Sequence, residues 1–138
     1  MPKSKNMKHI DHIGIAVKDI EQAVSNYETL LNSPCYKREI VESEQVDTAF
    51  FLKDQSKIEL LGATSEESAI SRFLSKKGEG LHHVAFEVED IYAELDRLKK
   101  EGYTLLNEKP KSGADNKLVA FIHPKDNNGV LIELCQSR

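Results

Sequence analysis

The chain has 138 residues, 39% hydrophobic and 30% charged, with a formal charge of −4. That is the make-up of one soluble globular domain, large enough to bury a core. No basic block points to nucleic acid, no apolar run is long enough to span a bilayer, and the basic residues 1–6 lead into no apolar stretch of a secretory signal. Two cysteines, Cys35 and Cys135, are too few for a disulfide framework and fit a reducing cytosol.

In chain order, His9–Val17 predicts a strand, its bulky Ile13, Ile15 and Val17 alternating with His12, Gly14 and Ala16. Asp19 is positioned to cap a helix over Ile20–Asn32, stopped by Ser33-Pro34. Tyr36–Val41, Val46–Leu52 and Lys57–Leu61 predict three strands, the last two joined by a tight turn at Asp54-Gln55-Ser56. Ala63–Gly80 predicts a linker with a short helix over Glu67–Lys76. The order then recurs: strand Leu81–Val88, a helix capped by Asp90 and closed by Gly102, then strands over Tyr103–Leu106, Lys117–His123 and Val130–Cys135, with Lys109–Asn116 a polar loop.

The recurrence extends to the residues. Ile10–Ile20 reads like Leu81–Ile91 at a shift of 71, and Lys57-Ile58-Glu59-Leu60 like Leu131-Ile132-Glu133-Leu134, where the shift has grown to 74 through the longer Asp126-Asn127-Asn128-Gly129 turn. Such internal repetition sets the fold. It predicts an α+β domain spanning 1–138, of two strand-helix-strand-strand-strand modules at about 8–62 and 80–136.

Strand parity assigns the polar residues a face. Ile13, Ile15 and Val17, and Val84, Phe86 and Val88, want the helices; His12 and His83 point away, flanked by the small Gly14, Ala16 and Ala85. Likewise Glu59 and Glu133 point away between core-facing neighbours. Two imidazoles and two carboxylates on matching strands suit one divalent ion, Zn, Mn, Fe, Co or Ni. The plainer alternative is a pair of solvated strand faces inherited from one duplicated ancestor. His82, beside His83, occupies the helix side and is excluded by the repeat. Cys135 shares the side of Glu133 and reads as a small apolar residue before a ligand.

These stretches carry a family resemblance. Ile10-Asp11-His12-Ile13-Gly14-Ile15-Ala16-Val17, Ile58-Glu59-Leu60-Leu61, Gly80-Leu81-His82-His83, Glu108-Lys109-Pro110, and His123-Pro124-Lys125 followed by Gly129–Leu134 resemble the vicinal oxygen chelate (glyoxalase/bleomycin-resistance) superfamily, and within it the methylmalonyl-CoA epimerase family, over roughly Lys8–Gln136. The resemblance implies a curled, barrel-like mixed sheet with helices outside, and a homodimer. It implies His12, Glu59, His83 and Glu133 as ligands of one divalent metal (Zn, Co, Mn or Ni), and a small thioester or carbonyl substrate. The implied reaction epimerises the carbon between a thioester carbonyl and a carboxylate through a metal-stabilised enolate, with Glu133 as ligand and acid/base.

A second acid/base is needed on the opposite face of that carbon. Several family members carry glutamate where this chain has Thr48, and a threonine hydroxyl is a poor base. Glu59 and Glu44 are the alternatives, leaving Thr48 a substrate contact. Lys117 or Lys125 would meet a CoA phosphate at the rim, or Lys125 is simply solvated at a strand exit. Epimerases of the family often have glutamine at the position of Glu59, whereas glyoxalase I-type enzymes, which isomerise thiol hemithioacetals, commonly have glutamate there. A metal-free ligand-sequestering protein of the superfamily is the third reading.

Overall fold

The computed structural model describes residues 7–138. The fold is α+β: eight strands and three α-helices among the described residues, ordered as two strand-helix-strand-strand-strand modules with a helix in the linker. In sequence they are β1 (Met7–Ala16), α1 (Ile20–Leu31), β2 (Lys37–Val41), β3 (Val46–Lys53), β4 (Ser56–Ala63), α2 (Ala69–Lys77), β5 (Gly80–Val88), α3 (Ile91–Lys100), β6 (Lys111–Ser112), β7 (Lys117–Ile122) and β8 (Ile132–Ser137). The chain separates into two compact units, one of His12–His82, the other of residues up to Asp11 together with His83–Arg138.

In the His12–His82 unit the strand order is β2-β3-β4-β1. β1 and β4 run parallel, because α1 carries the chain across between β1 and the hairpin strands; β2–β3 and β3–β4 are antiparallel. The Asp19 carboxylate accepts from the Gln22 amide and so starts α1, and Asn32 ends it in the left-handed conformation. One face of the sheet packs Val17, Ala49, Phe51 and Leu60 against Ile20, Ala23, Val24, Tyr27 and Leu31 of α1. A side chain such as the fully buried Phe51 contributes about 1.5–3 kcal/mol through removal from water. A Cβ added at Gly62 would stand 3.2 Å from the Ile20 Cβ, so glycine there lets α1 settle onto β4.

The opposite face is not wholly open. Ala16, Val46 and Leu61 are covered by Ile70, Phe73 and Leu74 of α2, so the linker helix fills the space beside the small Ala16. The tight turn at Asp54 forms as expected, with φ of 58°.

In the other unit the order is β5-β8-β7-β6, with β5 and β8 parallel and the remaining pairs antiparallel. Asp90 caps α3 through the Ala93 amide, and α3 buries Ile91, Leu95 and Leu98 against Val88, Ala120, Ile122 and Leu134. Gly102, at φ +97°, closes the helix as its sequence position predicts.

One strand differs from expectation. Tyr103–Leu106 makes only a single bridge, Leu105 to Ile122, and β6 forms later, inside the expected Lys109–Asn116 loop. The Asp126 side chain accepts from the Thr104 amide and the Asn107 side chain from the Phe121 amide. Side chains thus take hydrogen bonds that a regular ladder would have used.

Candidate functional site

Each unit holds one buried histidine–glutamate pair, and the two are built alike. In the first, His12 on β1 lies two positions before Gly14, and Gly14 is the parallel partner of Glu59 on β4. On its other side Glu59 is paired with Phe50 of β3. Between a residue with no side chain and a large ring, the Glu59 carboxylate leans towards His12, and Nε2 and Oε1 stand 3.2 Å apart. His12 is 6% and Glu59 5% exposed.

In the second, His83 on β5 lies two positions before Ala85, the parallel partner of Glu133 on β8; the antiparallel partner of Glu133 is Phe121. The His83 Nε2 and Glu133 Oε1 are 3.1 Å apart, and both residues are 5% exposed. The Phe121 ring meets the His83 ring edge-on at 5.8 Å between centroids. A small residue on the parallel side and a phenylalanine on the antiparallel side are thus the shared device that turns each carboxylate onto its imidazole. His82 is elsewhere, its ring edge-on to Phe73 of α2 at 4.9 Å.

Thr48 is buried on β3, on the same side as Phe50, and its hydroxyl donates to the Glu39 carbonyl at 2.6 Å. Lys125 is exposed in the short 3-10 turn Pro124–Asp126, where its amide donates to His123 Nδ1. Glu44 ends a similar 3-10 turn, Glu42–Glu44, outside any strand.

Lys117 is the clear departure. With Lys125 it is one of the two lysines expected at a rim, ready for a phosphate. Instead it is 7% exposed, its ammonium 2.9 Å from the Glu87 carboxylate, 2.9 Å from the Ser137 hydroxyl and 3.4 Å from the Asp11 carboxylate. An ammonium buried this way is held by its carboxylates and is not available to a ligand at the surface. Burial opposes the Lys117 charge, but Glu87 and Asp11 outweigh it and its pKa lies above the ordinary lysine value. Burial also opposes the Glu87 charge; the Lys117 ammonium with the Ser137 amide and hydroxyl outweigh that, and its pKa lies below the ordinary glutamate value.

Cys135 completes this cluster, its Sγ 3.5 Å from the Phe86 carbonyl and 3.8 Å from Glu87. Burial first, then the nearby carboxylates, push its thiol far above the ordinary range, so it packs as a small neutral group. Glu87 was visible by parity, on the His83–Ala85 side of its strand. Asp11 carried no such signal.

Residues 11–121 match the Glyoxalase/Bleomycin resistance protein/Dioxygenase superfamily. The ethylmalonyl-CoA/methylmalonyl-CoA epimerase of Cereibacter sphaeroides is 42% identical over 129 residues, covering 92% of this chain and 96% of that protein. The crystal structure of methylmalonyl-CoA epimerase from Mycobacterium tuberculosis superposes with a TM-score of 0.94 at 34% identity, covering 100% of this chain and 93% of that one. A methylmalonyl-CoA epimerase solved in complex with methylmalonyl-CoA and ammonium gives a TM-score of 0.91 at 35% identity, with 95% of both chains covered. The duplicated modules, the matched His–Glu pairs and these similarities agree, and the chain belongs to the glyoxalase/bleomycin resistance protein/dioxygenase superfamily, with methylmalonyl-CoA epimerases among its relatives.

Proposed function

We propose that this chain is a metal-dependent epimerase of a 2-carboxyacyl-CoA thioester of the methylmalonyl-CoA type, with His12, Glu59, His83 and Glu133 as ligands of one divalent ion. The observation that carries the reading is the twice-built, buried His–Glu pair. Two imidazole nitrogens and two carboxylates are a donor set that Zn, Co, Mn and Ni all accept, and placing carboxylates in buried strand positions is costly unless they are paired or coordinate a cation. The similarity to methylmalonyl-CoA epimerases supports the substrate class.

The bound ion would supply positive charge that stabilises the oxygen-centred charge formed as the substrate carbon loses its proton. The rest is the work of side chains. Glu133 serves as general base at C2, from a buried strand position beside His83 and opposite Phe121. Glu59, beside His12, is its counterpart in the repeat. Thr48 contributes a surface against the substrate, and the exposed Lys125 is suited to a CoA phosphate. A cytosolic homodimer completes the reading, in keeping with the family resemblance and with two unpaired thiols.

The test is proton-to-deuterium exchange at C2 of methylmalonyl-CoA in D₂O, with protein dialysed free of metal and then given Co²⁺, Mn²⁺ or Zn²⁺. Exchange and interconversion of the epimers are expected only with metal. Their absence with every ion would end the epimerase reading. Glu59, a carboxylate where epimerases of the family often have an amide, favours a second reading as a glyoxalase I-type isomerase. Turnover of the glutathione–methylglyoxal hemithioacetal by the same preparations would decide for it.

A further inference from the structure

β6 covers the outer edge of β7 only as far as Val119. Beyond that point the edge is taken by the chain at 104–107. The His123 amide donates to the Thr104 carbonyl at 2.9 Å, and the Leu106 amide to the Phe121 carbonyl at 2.8 Å. Two directly hydrogen-bonded residues of an antiparallel ladder exchange two backbone bonds. Leu106 and Phe121 make one of them. A side chain supplies the other: the Phe121 amide donates to Asn107 Oδ1 at 2.8 Å.

Phe121 is also where this edge meets the His83–Glu133 pair. The amide and carbonyl of one strand residue point to the same side, so both groups of Phe121 turn away from β8. Phe121 and its antiparallel partner Glu133 therefore form the non-hydrogen-bonded kind of pair, with Cα atoms roughly 4.5 Å apart and side chains closer together. The Phe121 ring meets the His83 ring edge-on at 5.8 Å between centroids, and His83 Nε2 is 3.1 Å from Glu133 Oε1. One residue thus stands against both members of the pair, and its backbone is held by the Asn107 side chain. Every link in this chain lies within 83–138, a single compact unit.

We propose that Asn107 is a positioning residue: by holding the Phe121 amide it fixes where the Phe121 ring lies against His83 and Glu133. The proposal deepens the epimerase reading, on which its consequence for turnover rests. Asn107 acts through Phe121 and takes no part in proton transfer. Aromatic rings attract one another in particular offset or edge-on arrangements, so a shift of the Phe121 backbone changes the imidazole orientation that its ring favours. The groups around a metal-binding histidine orient its ring and tune its affinity in the same way.

The experiment compares four variants. Asn107→Ala removes the acceptor and Asn107→Asp keeps it. Phe121→Leu keeps the amide and its bond to Asn107 but loses the ring. Asp126→Ala removes a second side-chain hydrogen bond of the same segment, the one from the Thr104 amide at 2.7 Å. In metal-free protein the His83 ring protons, which feel the ring current of Phe121, should move in Asn107→Ala and keep their wild-type positions in Asn107→Asp and Asp126→Ala. Co²⁺ affinity should weaken about tenfold in Asn107→Ala and Phe121→Leu, the lower end of what outer partners of a metal site cost, and stay within about threefold of the wild type in Asn107→Asp and Asp126→Ala. At saturating Co²⁺, turnover of methylmalonyl-CoA by Asn107→Ala should fall about tenfold with KM within about threefold of the wild type. A segment that merely supports the fold would lose as much in Asp126→Ala as in Asn107→Ala. That result would overturn the proposal, as would wild-type His83 signals, Co²⁺ affinity or turnover in Asn107→Ala, or an Asn107→Asp protein as weak as Asn107→Ala. Wild-type affinity in Phe121→Leu would overturn it too, even if Asn107→Ala did not fold. Wild-type protein that bound no Co²⁺, or left methylmalonyl-CoA unchanged, would end the metal or the epimerase reading instead; the His83 signals of the metal-free variants would still decide the role of Asn107.

Discussion

The two His–Glu pairs share a construction but not a neighbourhood. Around His83 and Glu133 the sheet face continues into a buried charged cluster of Glu87, Lys117, Asp11 and Cys135. Around His12 and Glu59 it continues into Phe50, Thr48 and Leu61, and the charges on that face, Lys57 of β4 and Lys37 and Glu39 of β2, are partly exposed. Duplication has kept the register that makes each pair, histidine two positions before a small residue that faces the glutamate. Divergence has acted on the strands beside it. One side has become a closed, fully paired electrostatic block suited to holding a geometry. The other has kept carboxylate and ammonium groups within reach of solvent.

The comparison breaks most sharply at the glutamates. Glu133→Gln keeps the side chain's shape and should lower turnover by about 10³-fold, in the range of a lost general acid–base group, with the fold intact by circular dichroism. Full turnover by this variant would refute its role. His12→Ala and His83→Ala test whether the pairs are equivalent. Both should lose stoichiometric metal on dialysis, each weakening affinity by more than the 10–100-fold that outer hydrogen-bonding partners typically cost. Loss from one variant only would mean that a single pair holds the ion.

How much of this was legible beforehand follows from what alternation can and cannot encode. The four candidate ligands were readable because each sits in a strand whose neighbours alternate strictly, so parity alone gives the face. Asp19 and Asp90 were readable because a cap acts on amides three residues away. Lys117 was misread for the converse reason. Its partner Glu87 is 30 residues distant, and a lysine at the start of a strand looks the same from sequence whether it meets solvent or a buried carboxylate. Tyr103–Leu106 has a strand's composition and makes two ladder hydrogen bonds to β7 and its exit, yet the Thr104 and Phe121 amides go to the Asp126 and Asn107 side chains, contacts that composition does not express. The burial of Ala16 by α2 depended on a linker for which the repeat offers no counterpart.

Lys117→Met would break the closed block. It leaves the Glu87 and Asp11 carboxylates without their ammonium, and removing one partner of a buried ion pair typically costs roughly 3–5 kcal/mol, to be read from urea unfolding. No single side chain on the Lys37–Glu39 edge should approach that cost, since exposed pairs contribute about 0–1 kcal/mol. The same block gives a pH signature. The Glu87 pKa is lowered on folding, so its contribution is present above about pH 4.3, the unfolded value, and is lost as pH falls through the lower folded value. The Lys117 pKa is raised, so its contribution is complete below about pH 10.4 and is lost as pH rises through the higher folded value. Between these limits the pair's contribution should be flat, and the acid limb should shrink in Glu87→Gln.

The helix caps offer the finest comparison, because there the two copies should not differ. Asp19 and Asp90 follow corresponding strands, β1 and β5, adopt nearly the same extended backbone (φ −126° and −138°), and each accepts an amide hydrogen bond at 3.1 Å, from Gln22 and from Ala93. Replacing either by alanine leaves one amide of the first helical turn without its acceptor and should cost about 1 kcal/mol. Asparagine in its place should recover most of that, since it retains the acceptor oxygen and loses only the charge that favours a helix N-terminus. Equal losses at both positions, measured by denaturant midpoint, would mean that duplication preserved the local device intact. A markedly larger loss at Asp90 would trace to what its helix buries. α3 holds the carboxylate of Glu94 fully buried and paired with Arg97, whereas α1 has no buried residue, so fraying at Asp90 would also disturb a buried charge that α1 does not hold.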